Sequence, residues 1–280
     1  MNAIEIKDLS KQYADFALNK ISFSLPTGCI LGLVGENGAG KSTTINLIMN
    51  ALPSDGGSVQ VLGTDNRSPQ FQALKEDIGV VLDEAYYPEV LSARNVNAVM
   101  KHTYQNWDER RYYELLKKFD LPDRKMFREF SRGMKMKLAI AVALSHRSRL
   151  LILDEATSGL DPIVRDEILD LFNEFTRDEG RSVLISSHIV SDLEKICDYI
   201  AFLHKGRLVL FEEKDRLLEE YAILKLTRDA LRDIPPAAIR GKKDTGFGAE
   251  VLVRKSLVSD AFHAEHTTLE DIILFLAKGV

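Results

Sequence analysis

Apolar and polar positions alternate through the first third of the chain. Ile4 to Leu9 and Ile21 to Leu25 change every second residue, the period of a strand with one buried face. Cys29 to Val34 is a short apolar run closed by Gly35, as in a strand buried on both faces. A helix is expected to begin in the glycine-rich stretch that follows and to run through Thr44 to Asn50, ending before Pro53. Val59 to Leu62 and Ile78 to Leu82 read as further strands. From about Ala93 to Leu144 the period changes. Tyr112, Leu115, Leu116 and Phe119, and then Met136, Ile140 and Ala143, recur at helical spacing. The pattern predicts a helical insertion between two blocks of sheet.

Strand patterning resumes at Leu150 to Leu153. Pro162 then opens a helix, with proline in its first turn. Ser182 to Ser186 reads as the next strand, and Ile200 to Leu203 and Arg207 to Leu210 flank a Lys205-Gly206 turn. Beyond about Tyr221 the pattern weakens. Pro235-Pro236 and Gly241 to Gly248 read as loop, and Thr267 to Ala277 as a closing amphipathic helix.

With 280 residues, 45% of them hydrophobic, the chain is long enough for one large domain and a small appendage. The 37 basic and 42 acidic residues give a net charge of −5, which argues against a nucleic-acid partner held by bulk charge. Cys29 and Cys197 stand far apart in apolar, strand-like stretches and are expected to be reduced and buried. The opening residues carry no basic segment followed by an apolar run, so no signal peptide is expected. No stretch approaches the roughly 18 apolar residues of a membrane helix, so any work at a membrane is expected from outside the bilayer.

The chemistry concentrates in Gly35-Glu36-Asn37-Gly38-Ala39-Gly40-Lys41-Ser42-Thr43, which meets the pattern GxxxxGK[ST]. Glycines let the backbone curl so that N–H groups point at phosphate oxygens, and the following helix aims its positive end at the same place. Lys41 is expected to neutralise the outer phosphates of ATP, and the Ser42 hydroxyl to ligate Mg²⁺. The apolar strand Leu150 to Leu153 ends in Asp154-Glu155. An acid at the end of a strand beside a phosphate loop suits Mg²⁺, which assigns Asp154 to the metal. Glu155, one residue on and expected on the other side of the pleat, suits a general base that polarises water.

The order of these motifs resembles the ATP-binding subunit of a bacterial ABC transporter, over about Ile4 to Glu220. The resemblance implies an α/β P-loop NTPase of ABC type. It has a mixed central sheet, an antiparallel β subdomain and an inserted helical subdomain at about 84–145. Residues 1–221 form the ATPase domain and 222–280 a small α+β extension. The family's signature, typically LSGGQ, corresponds to Phe130-Ser131-Arg132-Gly133-Met134. Ser131 and Gly133 match the pattern; Arg132 and Met134 depart from it. A hydroxyl and backbone N–H groups at a helix start can meet the γ-phosphate of nucleotide held by a second copy. Ser158-Gly159-Leu160-Asp161 resembles the D-loop that spans a dimer interface. His188 resembles the switch histidine on the γ-phosphate, and Tyr13 the aromatic on which adenine stacks. Where the family generally has a glutamine that touches Mg²⁺ and water, this chain has Asp83, followed by Glu84. Aspartate there is retained as a metal-site residue.

The implied partners are a separate multi-span membrane permease and a second ATPase, as homodimer or heterodimer. The implied place is the cytoplasmic face of the cell membrane, held peripherally. Tyr86 to Leu91 is expected to pass motion to the permease. Ser131-Arg-Gly-Met-Lys-Met-Lys, Asp83-Glu84 and Thr268-Leu-Glu-Asp-Ile resemble ABC-2-type exporters, which implies export. The alternative is a soluble ABC-type ATPase acting in DNA repair, chromosome organisation or translation control. Such proteins usually carry long coiled coils or two ATPase units, whereas this insertion is short and the motifs occur once. A simple P-loop kinase leaves Ser131-Arg-Gly and Ser158-Gly-Leu-Asp unexplained. His263 and His266 stand three apart, but no third ligand lies near them in sequence to make a metal site.

Overall fold

The computed structural model describes residues 1–83, 87–246, 248–259, 262 and 267–278. Tyr86, Glu84, His263 and His266 lie outside the described residues.

Strands β1 (Asn2–Gln12) and β2 (Ala17–Pro26) pair antiparallel, and β3 (Ile30–Val34) leads into helix α1 (Lys41–Ile48). Strands β4 (Gly56–Val61) and β5 (Thr64–Asp65), a short helix α2 (Phe71–Leu74) and strand β6 (Ile78–Val81) follow. The insertion comprises α3 (Ala93–Thr103), α4 (Glu109–Lys118) and α5 (Arg132–Ala143). The chain then runs through β7 (Leu150–Asp154), α6 (Pro162–Thr176), β8 (Ser182–Ser187), α7 (Val190–Ile196), β9 (Tyr199–His204), β10 (Arg207–Glu213) and α8 (Lys214–Glu220). It closes with β11 (Tyr221–Leu226), β12 (Ile239–Thr245), β13 (Gly248–Arg254) and α9 (Leu269–Lys278).

Three sheets result. The antiparallel sheet has the order β2-β1-β4-β5, and the central sheet β10-β9-β3-β8-β7-β6. In the central sheet β9, β3, β8, β7 and β6 run parallel, and β10 pairs antiparallel at the edge. Every residue of β3 and β7 is buried. Their side chains alternate between two cores, as the pleat requires. Leu31, Leu33, Leu150 and Ile152 join the core shared with α1 and the antiparallel sheet. Ile30, Val34, Leu151 and Leu153 join the core shared with the helical insertion. That two-sided burial explains why these strands are continuous apolar runs.

The insertion helices are fixed by local chemistry. Ser92 caps α3, accepting the Asn95 N–H, and Asp108 caps α4, accepting the Arg111 N–H. Each such cap satisfies an N–H that the helix leaves unpaired, worth about 1 kcal/mol. Fully buried Tyr112 donates its hydroxyl to the Ala93 carbonyl at 2.8 Å, tying α4 to α3.

The stretch Gly241 to Gly248, expected as loop, instead supplies most of β12 and the start of β13, an antiparallel pair with β11 on the other side of β13. Gly241 serves a close approach rather than a turn, because a Cβ there would stand 2.7 Å from the Phe275 carbonyl of α9. The closing helix begins at Leu269, two residues later than expected. The cysteines flank strands instead of lying within them: Cys29 immediately precedes β3, and Cys197 ends α7. Both are free, and burial pushes both thiols up, which keeps them protonated.

Candidate functional site

The turn between β3 and α1 is built by close backbone approach. A Cβ at Gly35 would stand 2.5 Å from the Leu203 carbonyl, so only glycine lets the chain leave β3 this near to β9. Gly40 then enters α1 in the left-handed conformation, φ 109°. Lys41, 6% exposed, folds back over the turn: its Nζ donates to the Gly35 carbonyl at 2.8 Å and the Glu36 carbonyl at 3.3 Å. Its ammonium thus stands over the concave side of the loop. Thr44 donates to the Gly40 carbonyl at 2.8 Å, which fixes the first turn of α1. The exposed Ser42 opens onto the cleft.

That cleft, of about 580 Å³, is lined by Tyr13, Asp15, Phe16, Asn37, Gly38, Gly40, Lys41, Ser42, Thr43, Asp83 and Glu155. Most of the expected nucleotide residues therefore share one wall. Gly35, Glu36 and Ala39 do not line it, and Glu36 lies 3.3 Å from His204 Nδ1 of β9. Tyr13 is 39% exposed and tilts towards Phe16, with ring centroids 6.3 Å apart, and the Lys11 ammonium lies over its ring, 5.9 Å from the centroid.

Glu155 lines the cleft, whereas Asp154, 5% exposed, does not. Asp154 ends β7, and its carboxylate accepts the Ser186 hydroxyl at 2.5 Å. Glu155 follows in the left-handed region, φ 51°, which costs a side-chain-bearing residue about 1–2 kcal/mol. Simple pleat alternation does not describe it. The turn swings its carboxylate to Lys41, with Oε1 3.3 Å from Nζ, and to His188, whose Nδ1 lies 2.6 Å from Oε2. The Lys41 contact is an ion pair without hydrogen-bond alignment, so Oε1 is buried with no hydrogen-bond partner. An ionised carboxylate only accepts. With Glu155 ionised, His188 Nδ1 carries the proton.

Sequence patterning missed Ser186. It is fully buried in β8, directly opposite Asp154 in the parallel register. Besides donating to Asp154, it accepts the Glu155 N–H at its hydroxyl, 3.2 Å, and at its carbonyl, 3.1 Å. One serine thus holds the carboxylate of Asp154 and the strained backbone of Glu155. The available signal was its place at the end of an apolar strand two residues before His188.

The signature and D-loop residues do not line this cleft. Ser131 caps α5, accepting the Met134 N–H at 3.2 Å, and Arg132 to Met134 open the helix. Ser158 donates its N–H to the Glu155 carbonyl at 3.0 Å, Gly159 is exposed with φ 73°, and Asp161 caps α6. Asp83 borders the cleft, but its carboxylate pairs with Arg132 at 3.2 Å. The Ser42 hydroxyl and the Asp154 carboxylate are hard oxygen donors of the kind a magnesium ion takes, so these residues fit one. Among the described residues no group of three or more His, Cys, Asp or Glu could hold a metal alone.

A mostly parallel sheet, a glycine turn over a buried lysine after β3 and an acid at the end of β7, with β8 between the two strands, define a P-loop NTPase. The profile of the family described as "ABC transporter" matches residues 18–158. The chain is 36% identical over 211 residues to the bacitracin transport ATP-binding protein BcrA of Enterococcus faecalis, covering 74% of this chain and 68% of that one. It is 35% identical over 215 residues to the lantibiotic transport ATP-binding protein SrtF of Streptococcus pyogenes, covering 76% and 91%. A solved ATP-binding subunit of an ABC transporter superposes with a TM-score of 0.71 at 29% identity, covering 78% of this chain and 92% of that one. The chain belongs to the ABC transporter family. It is an ATP-binding subunit, an ATPase whose turnover powers transport through a separate membrane permease. Among its described residues no helix is long and apolar enough to cross a membrane.

For this ATPase, Ser186→Ala removes one donor to Asp154 and one support of Glu155. Turnover is expected to fall about tenfold, a barrier change of about 1.4 kcal/mol, while ATP affinity holds within about threefold. Stability is expected to fall by about 1–3 kcal/mol, the cost of unpairing buried polar groups. Steady-state kinetics and a thermal melt check both.

Proposed function

We propose that two such ATPase chains, as homodimer or heterodimer, meet head to tail and close over ATP, and that this motion drives export through the permease. The observation that carries the reading is the Glu155 carboxylate, held between Lys41 and His188 at the wall of the cleft. It is a base beside the expected place of the outer phosphates, with its proton partner and its orienting group already in reach.

In this reading the N–H groups of Gly35 to Thr43 cradle the phosphates and Lys41 neutralises the outer ones. Tyr13 stacks on adenine. Ser42 and Asp154 would hold Mg²⁺, with Asp83 joining them once released from Arg132, and the ion would supply charge neutralisation at the phosphate oxygens. Glu155 accepts a proton from the attacking water. His188 holds Glu155 through Nδ1 and presents its half-exposed ring to the terminal phosphate. Ser131, Arg132, Gly133 and Met134 complete the site of the partner chain, and Ser158, Gly159 and Asp161 lie along the shared face. The start of α5 is suited to this, with a capping hydroxyl and free N–H groups at a helix start.

Residues 1–221 serve as the ATPase domain, with the insertion at about 84–145 transmitting motion, and 222–280 as an appendage packed through α9 on α7. Export rests on the resemblance to ABC-2-type exporters, and the bacitracin and lantibiotic relatives support a transported substrate of related chemistry. The chain is placed on the cytoplasmic face of the membrane, held peripherally. Affinity capture of the chain in mild detergent is the test. A multi-span membrane protein is expected in stoichiometric amount. Recovery of DNA, ribosomes or nothing reproducible would favour the alternative without a permease.

A further inference from the structure

Two site positions depart from the family pattern most visibly: Asp83 in place of glutamine and Arg132 in place of the signature's first glycine. They are 49 residues apart in sequence and in contact in the fold, with Arg132 Nη2 3.2 Å from Asp83 Oδ1. The Arg132 stem also lies over the D-loop. A Cβ at Gly159 would stand 3.5 Å from its Cδ and Nε and 3.6 Å from its Cζ. One side chain at the start of α5 therefore touches the loop that walls its own cleft and the loop assigned to the shared face. The pair is open to water, 61% and 53% exposed, so the core does not depend on it.

We propose that Asp83 holds Arg132 as an internal substitute for phosphate. The proposal rests on the reading that Ser131 to Met134 close over nucleotide in a second chain. In the single chain the guanidinium is occupied by the Asp83 carboxylate and kept against its own D-loop. When a second chain brings nucleotide to the start of α5, phosphate oxygens compete with Asp83 for the same planar fork of donors. Arg132 exchanges one anion for another and Asp83 is released beside Lys41, Ser42 and Glu155, with which it lines the cleft. Closure over one nucleotide thereby changes the charge at the other. An exposed ion pair carries a factor of about 1.4 to 5, so Asp83 adjusts the threshold for closure and does not switch it on or off.

The test measures ATP-driven dimerisation by light scattering in a Glu155→Gln background, where turnover does not empty the site. Asp83→Asn is expected to lower the ATP concentration at half-dimerisation about 1.4- to 5-fold, because Arg132 is then free from the start. Arg132→Gln is expected to raise it. The double variant is expected to match Arg132→Gln alone, since Asp83 then has nothing to hold. An unchanged or raised midpoint in Asp83→Asn overturns the proposal, and so does an equal lowering when Arg132 is already replaced. A Glu155→Gln chain that binds ATP and never dimerises overturns the dimer reading, and this proposal with it. Both substituted positions are exposed, and far-ultraviolet circular dichroism confirms that each variant is folded.

Discussion

Glu155→Gln is expected to keep ATP bound and to lose about 10²- to 10⁴-fold in turnover, the range removed with a general base. The amide is isosteric, so the left-handed turn at φ 51° and the Ser186 contacts to the backbone N–H persist. What is lost is the proton acceptor. The amide oxygen can still receive His188 Nδ1–H, so the ring stays in place, and the change falls on kcat rather than on binding. Fluorescent-nucleotide titration and phosphate release, measured on one preparation, separate the two. Turnover within about threefold of the unsubstituted chain would remove Glu155 from the role of base.

Lys41→Ala is expected to weaken ATP binding itself, by about 10- to 100-fold, the scale of a hydrogen bond to a charged group. Lys41 is buried and folded over the loop by two carbonyls, which fix its ammonium there. The substitution also strips the buried Glu155 carboxylate of its counter-charge at 3.3 Å. Leaving a buried charge without its partner is destabilising, so the apo chain is expected to melt at lower temperature. Equilibrium titration with fluorescent ATP and a thermal melt give the two effects. Glu155→Gln in the same chain is expected to recover part of the stability and none of the affinity.

The elements legible in the sequence are those whose burial is two-sided or strictly periodic. β3 and β7 are continuous apolar runs because both faces are covered, and the insertion helices carry a clear 3.6 period. The β12–β13 pair was hidden by glycines that read as turn residues, although Gly241 meets the backbone of α9. The phosphate loop was legible because its chemistry needs glycine at fixed spacing. Glu155 was identified by position but not by direction, since a strand pattern cannot announce a left-handed turn at its end. Ser186 and the Asp83–Arg132 contact depend on register between strands and on loops 49 residues apart, which no local pattern carries.

In the proposed dimer the cleft is half of a site, which Ser131 and Gly133 of a second chain complete. The most direct measurement is the mass of the purified Glu155→Gln chain by light scattering, with and without ATP. One chain is expected without nucleotide and two chains with it, the dimer lost again in Ser131→Arg. A chain that binds ATP and keeps the mass of one copy would contradict it.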